Sequence, residues 1–110
     1  GLYSYQGAQG LKKEGAKSCL RQKKKMICRL SESHRWSDGS RIAAQDYLRS
    51  FRRLIDPKNA SPQADVVFSL KNARAIWDGK KEPATLGILA PEEFLLIFEF
   101  EDEDPEFEYR

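Results

Sequence analysis

The chain has 110 residues, of which 40% are hydrophobic and 33% charged, and a formal net charge of +2. That length gives room for one small domain with a single modest core, and the composition is that of a globular chain with a charge-rich surface. No apolar run approaches the roughly 18 to 20 residues that span a bilayer; the strongest, residues 94–98, has the length of one strand.

The charge is unevenly placed. Lys12, Lys13, Lys17, Arg21, Lys23, Lys24, Lys25 and Arg29 make the first third basic, and Glu99, Glu101, Asp102, Glu103, Asp104, Glu106 and Glu108 make the end acidic. Opposed blocks of this kind form either two solvated faces or separate attachment points. The opening residues 1–5 carry neither the basic segment nor the apolar stretch of a secretory signal. A cytosolic chain, a processed chain and a piece of a longer one all fit that opening.

In chain order, residues 1–16 read as an irregular lead-in. Residues 17–22 and 25–30 form a hairpin around Lys23-Lys24, with Met26, Cys28 and Leu30 alternating against Ile27 and Arg29 as strand residues do. A two-residue turn sets Cys19 opposite Cys28 at a non-hydrogen-bonded position, where Cα atoms approach to about 4.5 Å, within disulfide reach. A disulfide and a pair of buried thiols both satisfy that register. Trp36-Ser37-Asp38-Gly39-Ser40 is a turn, because Asp-Gly is a strong breaker.

A helix is predicted over residues 44–55. Tyr47, Leu48, Phe51, Leu54 and Ile55 fall on one stripe, with Arg49, Arg52 and Arg53 away from its middle. Asp46 sits in the first turn, where a carboxylate suits the positive helix end, and Asp56-Pro57 stops the helix. Ser61-Pro62 opens a second helix, as a good N-cap followed by proline at the first position. Its apolar side would be Ala64, Val67, Phe68 and Leu70. A short third helix over residues 72–78 buries Ala73, Ile76 and Trp77 and stops at Gly79. Residues 86–90 and 93–101 read as strands, the second with Leu96, Phe98 and Phe100 on one face and Pro105 as its end. The sum is an α+β fold in one domain: a small antiparallel or mixed sheet with two to three helices.

Chemistry is sparse. Catalysis needs converging reactive groups, and the one histidine, His34, lies in a polar stretch beside a turn. With Cys19 and Cys28 it makes no zinc spacing, and neither a dinucleotide fingerprint nor a phosphate-binding P-loop occurs. No enzyme activity, metal or cofactor is expected. A nucleic-acid module is the obvious rival reading, from the hairpin lysines and the Arg49, Arg52, Arg53 face. The near-balanced charge, the acidic end and the lack of interleaved aromatics argue against it.

The stretch over residues 30–90 resembles the family 5 solute-binding proteins, the dipeptide and oligopeptide receptors of ABC importers. The resemblance rests on Trp36-Ser37-Asp38-Gly39-Ser40, Ala44-Gln45-Asp46-Tyr47, Ser50-Phe51, Arg53-Leu54, Asp56-Pro57-Lys58-Asn59-Ala60-Ser61-Pro62, Lys71-Asn72-Ala73, Gly79-Lys80-Lys81 and Leu86-Gly87. The opening Gly1-Leu2-Tyr3 extends it. It implies a three-lobed extracytoplasmic or periplasmic receptor in which two lobes close on a peptide, and an α+β accessory lobe to which this chain corresponds. The implied partners are the remaining lobes, the peptide and a membrane permease. Most peptide-gripping residues would lie outside this stretch, and no covalent chemistry is implied.

Three positions depart from the family pattern. Ala43 replaces the usual threonine N-cap, a loss of about 1 kcal/mol. Gln63 stands where a ligand-lining tyrosine often follows the Ser-Pro pair, and the tryptophan of the first strand is replaced near Ser18 or Cys19. Trp36, Asp38, Gly39, Asp46, Pro57 and Pro62 read as structural. A stand-alone interaction module is the alternative. A lobe taken from its neighbours would expose an apolar patch and self-associate through it.

Overall fold

The computed structural model describes residues 15–62 and 64–103. Two antiparallel hairpins build a four-stranded sheet. The first joins β1 (Ala16–Gln22) to β2 (Lys25–Leu30) across Lys23-Lys24, and the second joins β3 (Ile88–Glu92) to β4 (Leu95–Glu99) across Glu93-Phe94. Strand order is β1-β2-β4-β3, and every neighbouring pair is antiparallel. The sheet is therefore antiparallel throughout and not mixed. Between the hairpins lie two helices, α1 (Ala44–Ile55) and α2 (Ala73–Trp77), and three short 3-10 turns.

Alternation along the strands decides where the core sits. Met26, Cys28 and Leu30 of β2, Ile88 of β3 and Leu96 and Phe98 of β4 are buried on one face. The apolar stripe of α1 covers that face, with Tyr47, Leu48, Phe51, Leu54 and Ile55 all buried. Phe51 meets Phe98 edge-on, centroids 5.7 Å apart, an arrangement aromatic quadrupoles favour. No charged or polar residue is buried among those described. The fold is thus one sheet with helices on one face.

The second predicted helix is corrected. Only a 3-10 turn forms there, Ala64–Val67. The backbone just beyond it is taken by the sheet: Leu70 bridges Phe100, the Glu101 N–H donates to the Ser69 carbonyl at 3.1 Å, and the Lys71 N–H donates to the Glu99 carbonyl at 2.8 Å. A helix needs those same groups for its own ladder and cannot continue. Ala64, Val67 and Leu70 are still buried, so the apolar spacing served packing without a helix.

The third helix forms as α2 and ends in a complete Schellman arrangement. Gly79 adopts φ +77°, its N–H donates to the Ile76 carbonyl at 3.0 Å, and the Lys80 N–H donates to the Ala75 carbonyl at 2.8 Å. Strand β4 is shorter than the predicted span. The Glu93 carbonyl accepts from Ala44 N–H at 2.7 Å and the Phe94 carbonyl from Leu30 N–H at 2.8 Å, which makes these two residues a turn. Pro91 lies in edge strand β3 beside a bulge, where a missing donor is tolerated. Pro105, Gly1-Leu2-Tyr3 and the last acidic residues lie outside the described residues.

Candidate functional site

The motif loop before α1 is held by its own short polar contacts. The Asp38 Oδ1 accepts the Ser40 hydroxyl at 2.6 Å and the Ser40 N–H at 2.9 Å. Those bonds, the hydroxyl's first, hold the Asp38 carboxyl below its ordinary range. Gly39 adopts φ +91°, a conformation side chains disfavour. Trp36 N–H donates to the Ser40 carbonyl at 2.9 Å, and the Trp36 ring is half-buried against the core. His34 is half-buried and its carbonyl accepts from Ile42 N–H at 3.1 Å.

The next motif residues form the start and stop of α1. Asp46 Oδ2 accepts the Ala43 N–H at 2.8 Å, and Asp46 Oδ1 pairs with Arg49 at 2.6 Å. Alanine offers no side-chain acceptor in return, so the Asp46 N–H turns to the Ala43 carbonyl at 3.0 Å. At the other end Asp56 Oδ1 accepts the Lys58 N–H at 3.0 Å, over Pro57. Pro62 is exposed in the following turn. Gln63 lies outside the described residues. The structure thus strings Trp36, Asp38, Gly39, Asp46, Pro57 and Pro62 along the route into and out of one helix.

Cys19 and Cys28 are joined as a disulfide, with Cα atoms 4.1 Å apart. They are direct cross-strand partners, Cys28 fully buried and Cys19 exposed. Among the described residues no group of three His, Cys, Asp or Glu side chains lies together as a metal site requires. None of their helices is long and apolar enough to cross a membrane.

An open groove of about 480 Å³ lies where the first hairpin tip meets the end of β4, lined by Gln22, Lys24, Lys25, Lys71, Glu99, Phe100 and Glu101. Its lysines share the space with two glutamates, so the tip presents no unbroken cationic surface of the kind a polyanion needs. Glu101 is itself engaged, its Oε1 accepting the Asn72 N–H at 2.7 Å. The helix arginines are also separated in role: Arg49 pairs with Asp46, and Arg52 is half-buried toward the Ala84 carbonyl.

Sequence reading overlooked the outer sheet face. The strand registers set Leu20, Ile27, Ile97 and Leu89 side by side across all four strands. Leu20 is 58% exposed and Leu89 48%, the two exposed large hydrophobics among the described residues. The signal was available in part, since Ile27, Leu89 and Ile97 make their strands apolar on both faces, whereas a sheet with one wet face alternates. Strand pairing alone could align them.

No protein-family model matches the chain. The periplasmic murein peptide-binding protein of Escherichia coli (strain K12) is 38% identical over 80 residues, which is 71% of this chain and 15% of that protein. The substrate-binding domain of an oligopeptide ABC transporter from Bacillus anthracis superposes with a TM-score of 0.81 at 33% identity, over 86% of this chain and 18% of that one. The chain matches one segment of the family 5 peptide-binding proteins. An oligopeptide-binding protein of Haemophilus influenzae, solved in complex with RPPGFSPFR, gives a TM-score of 0.80 at 31% identity over 84% of this chain and 19% of its own. The chain therefore spans less than a fifth of these family 5 relatives. The relatives so named are binding proteins.

Proposed function

We propose that this chain is the accessory lobe of an extracytoplasmic, periplasmic peptide-binding receptor that feeds an ABC importer. The observation that carries the reading is the superposition of 84–86% of the chain on one segment of peptide receptors at TM-scores of 0.80–0.81, with identity above 30%. In this role the lobe has no reaction to perform. It supports the two lobes that close on the peptide and walls part of the cavity. The polar contacts of the motif loop and of both ends of α1 fit such support, because they fix backbone geometry. Its partners are the remaining lobes and, through them, a peptide and a membrane permease.

The test is the native gene product, detected in cell extract with an antibody against this domain and then purified for native mass spectrometry. A product several times heavier than 12.7 kDa, in the envelope fraction and carrying co-purified peptides, is expected. A product near 12.7 kDa, or a large one that carries no peptide and takes up none, overturns the reading.

A further inference from the structure

The outer sheet face is organised in three rows that run across the strands. The middle row is Leu20, Ile27, Ile97 and Leu89. On one side of it lie Gln22, Lys25 and Glu99, and on the other Ser18, Arg29, Leu95 and Glu92. We propose that this face is a self-docking surface, on which a second copy of the chain packs sheet against sheet about a two-fold axis. The axis lies in the interface, runs parallel to the strands and passes between β2 and β4.

The choice of a second copy follows from self-complementarity. Such an axis keeps each row over itself and reverses the strand order. Leu20 then lies over Leu89 of the other copy, Ile27 over Ile97, and Lys25 over Glu99. Each contact occurs twice, as a two-fold interface requires. The apolar row closes on itself and each Lys25 beside it meets a Glu99 of the other copy, while in the opposite row Arg29 lies over Leu95 and Glu92 over Ser18. The other in-plane axis, perpendicular to the strands, exchanges the outer rows. It sets Lys25 over Arg29, a like-charge contact that costs binding. Aligned sheets pack about 10 Å apart at roughly −30°, which keeps the middle of the face in register.

Area sets the strength. Strands of this length, at about 3.4 Å per residue and about 4.8 Å between strands, give a face of roughly 300 Å² per copy. Stable dimers bury about 800 Å² per partner. The dimer is therefore weak and fast-exchanging, with a dissociation constant of about 10 µM to about 1 mM.

Sedimentation equilibrium of the 110-residue chain across that concentration range tests the proposal, with circular dichroism as a check on folding. A monomer–dimer equilibrium is expected. Leu20→Lys and Leu89→Lys, both at exposed positions, weaken it at least about tenfold. Lys25→Glu also weakens it, and the exchange Lys25→Glu with Glu99→Lys restores it. A chain monomeric to about 1 mM overturns the proposal, as does a dimer indifferent to both leucine substitutions. A dimer weakened by Leu20→Lys but not restored by the charge exchange overturns the two-fold arrangement.

Discussion

Gly87 has no room for a side chain. A β-carbon there would lie 2.7 Å from the Glu99 carbonyl oxygen, 2.7 Å from the Lys71 Cβ and 3.0 Å from the Lys71 nitrogen. These neighbours are backbone or next to it and are themselves bonded: the Gly87 N–H donates to the Lys71 carbonyl at 2.9 Å, and the Glu99 N–H to the Gly87 carbonyl at 2.8 Å. Relief would break this junction, so Gly87→Ala is expected to destabilise the chain by about 2–3 kcal/mol, measured by urea denaturation. Asp38 makes a prediction about pH. Hydrogen bonds from Ser40 lower its folded pKa. A depressed pKa means the contribution is fully present above the unfolded value and is lost as pH falls through the folded one. Asp38→Asn should therefore flatten the fall in stability on the acid side of the carboxylate range, and the Asp38 carboxyl should titrate below its ordinary value by NMR. A normal titration of Asp38 would remove the claim.

At the scale of elements, the first hairpin has a weak turn and a strong clamp. Lys23 adopts φ +47°, which costs a residue with a β-carbon, and the loop lacks the Asn-Gly or Gly that favours such turns. The Cys19–Cys28 disulfide, at a sequence separation of 9, closes that loop. A ring this short restricts the unfolded chain by about 2–3 kcal/mol. Reduction of the folded chain is expected to lower its melting temperature by roughly 10–20 °C. A shift under a few degrees would mean the strand pairing holds register unaided, through the ladder that β2 also makes with β4. Helix α1 shows how an element can survive a missing cap. Asp46 supplies one half of the capping exchange, and the backbone bond to Ala43 substitutes for the other.

At the scale of the whole molecule, the helices cover one face of the sheet and the outer face carries an apolar row. That row is what the proposed two-fold packing covers, with the charged rows beside it left as its polar rim. Several features were legible early. The stripe of α1 gave its span, residues 44–55, because twelve residues of 3.6 periodicity with a proline stop leave few alternatives. Alternation gave Met26, Cys28 and Leu30 as a core face, and the Trp36 to Gly87 motifs pointed to the family. The second helix was misread because serine, proline and a matching apolar spacing are local signals, while the competing hydrogen bonds came from Glu99 and Glu101, some 30 residues away.

Sequence by itself determined the elements whose partners are near in the chain: the hairpin around Lys23-Lys24, helix α1, the Schellman stop at Gly79 and the face of β4 that holds Leu96 and Phe98. These depend on side-chain period and turn chemistry, which are written locally. Tertiary structure alone decided the order β1-β2-β4-β3, the loss of the second helix, the close approach at Gly87 and the alignment of Leu20, Ile27, Ile97 and Leu89. Each of these depends on which backbone groups pair across long separations, and such pairing is set by competition among all strands for the same donors and acceptors.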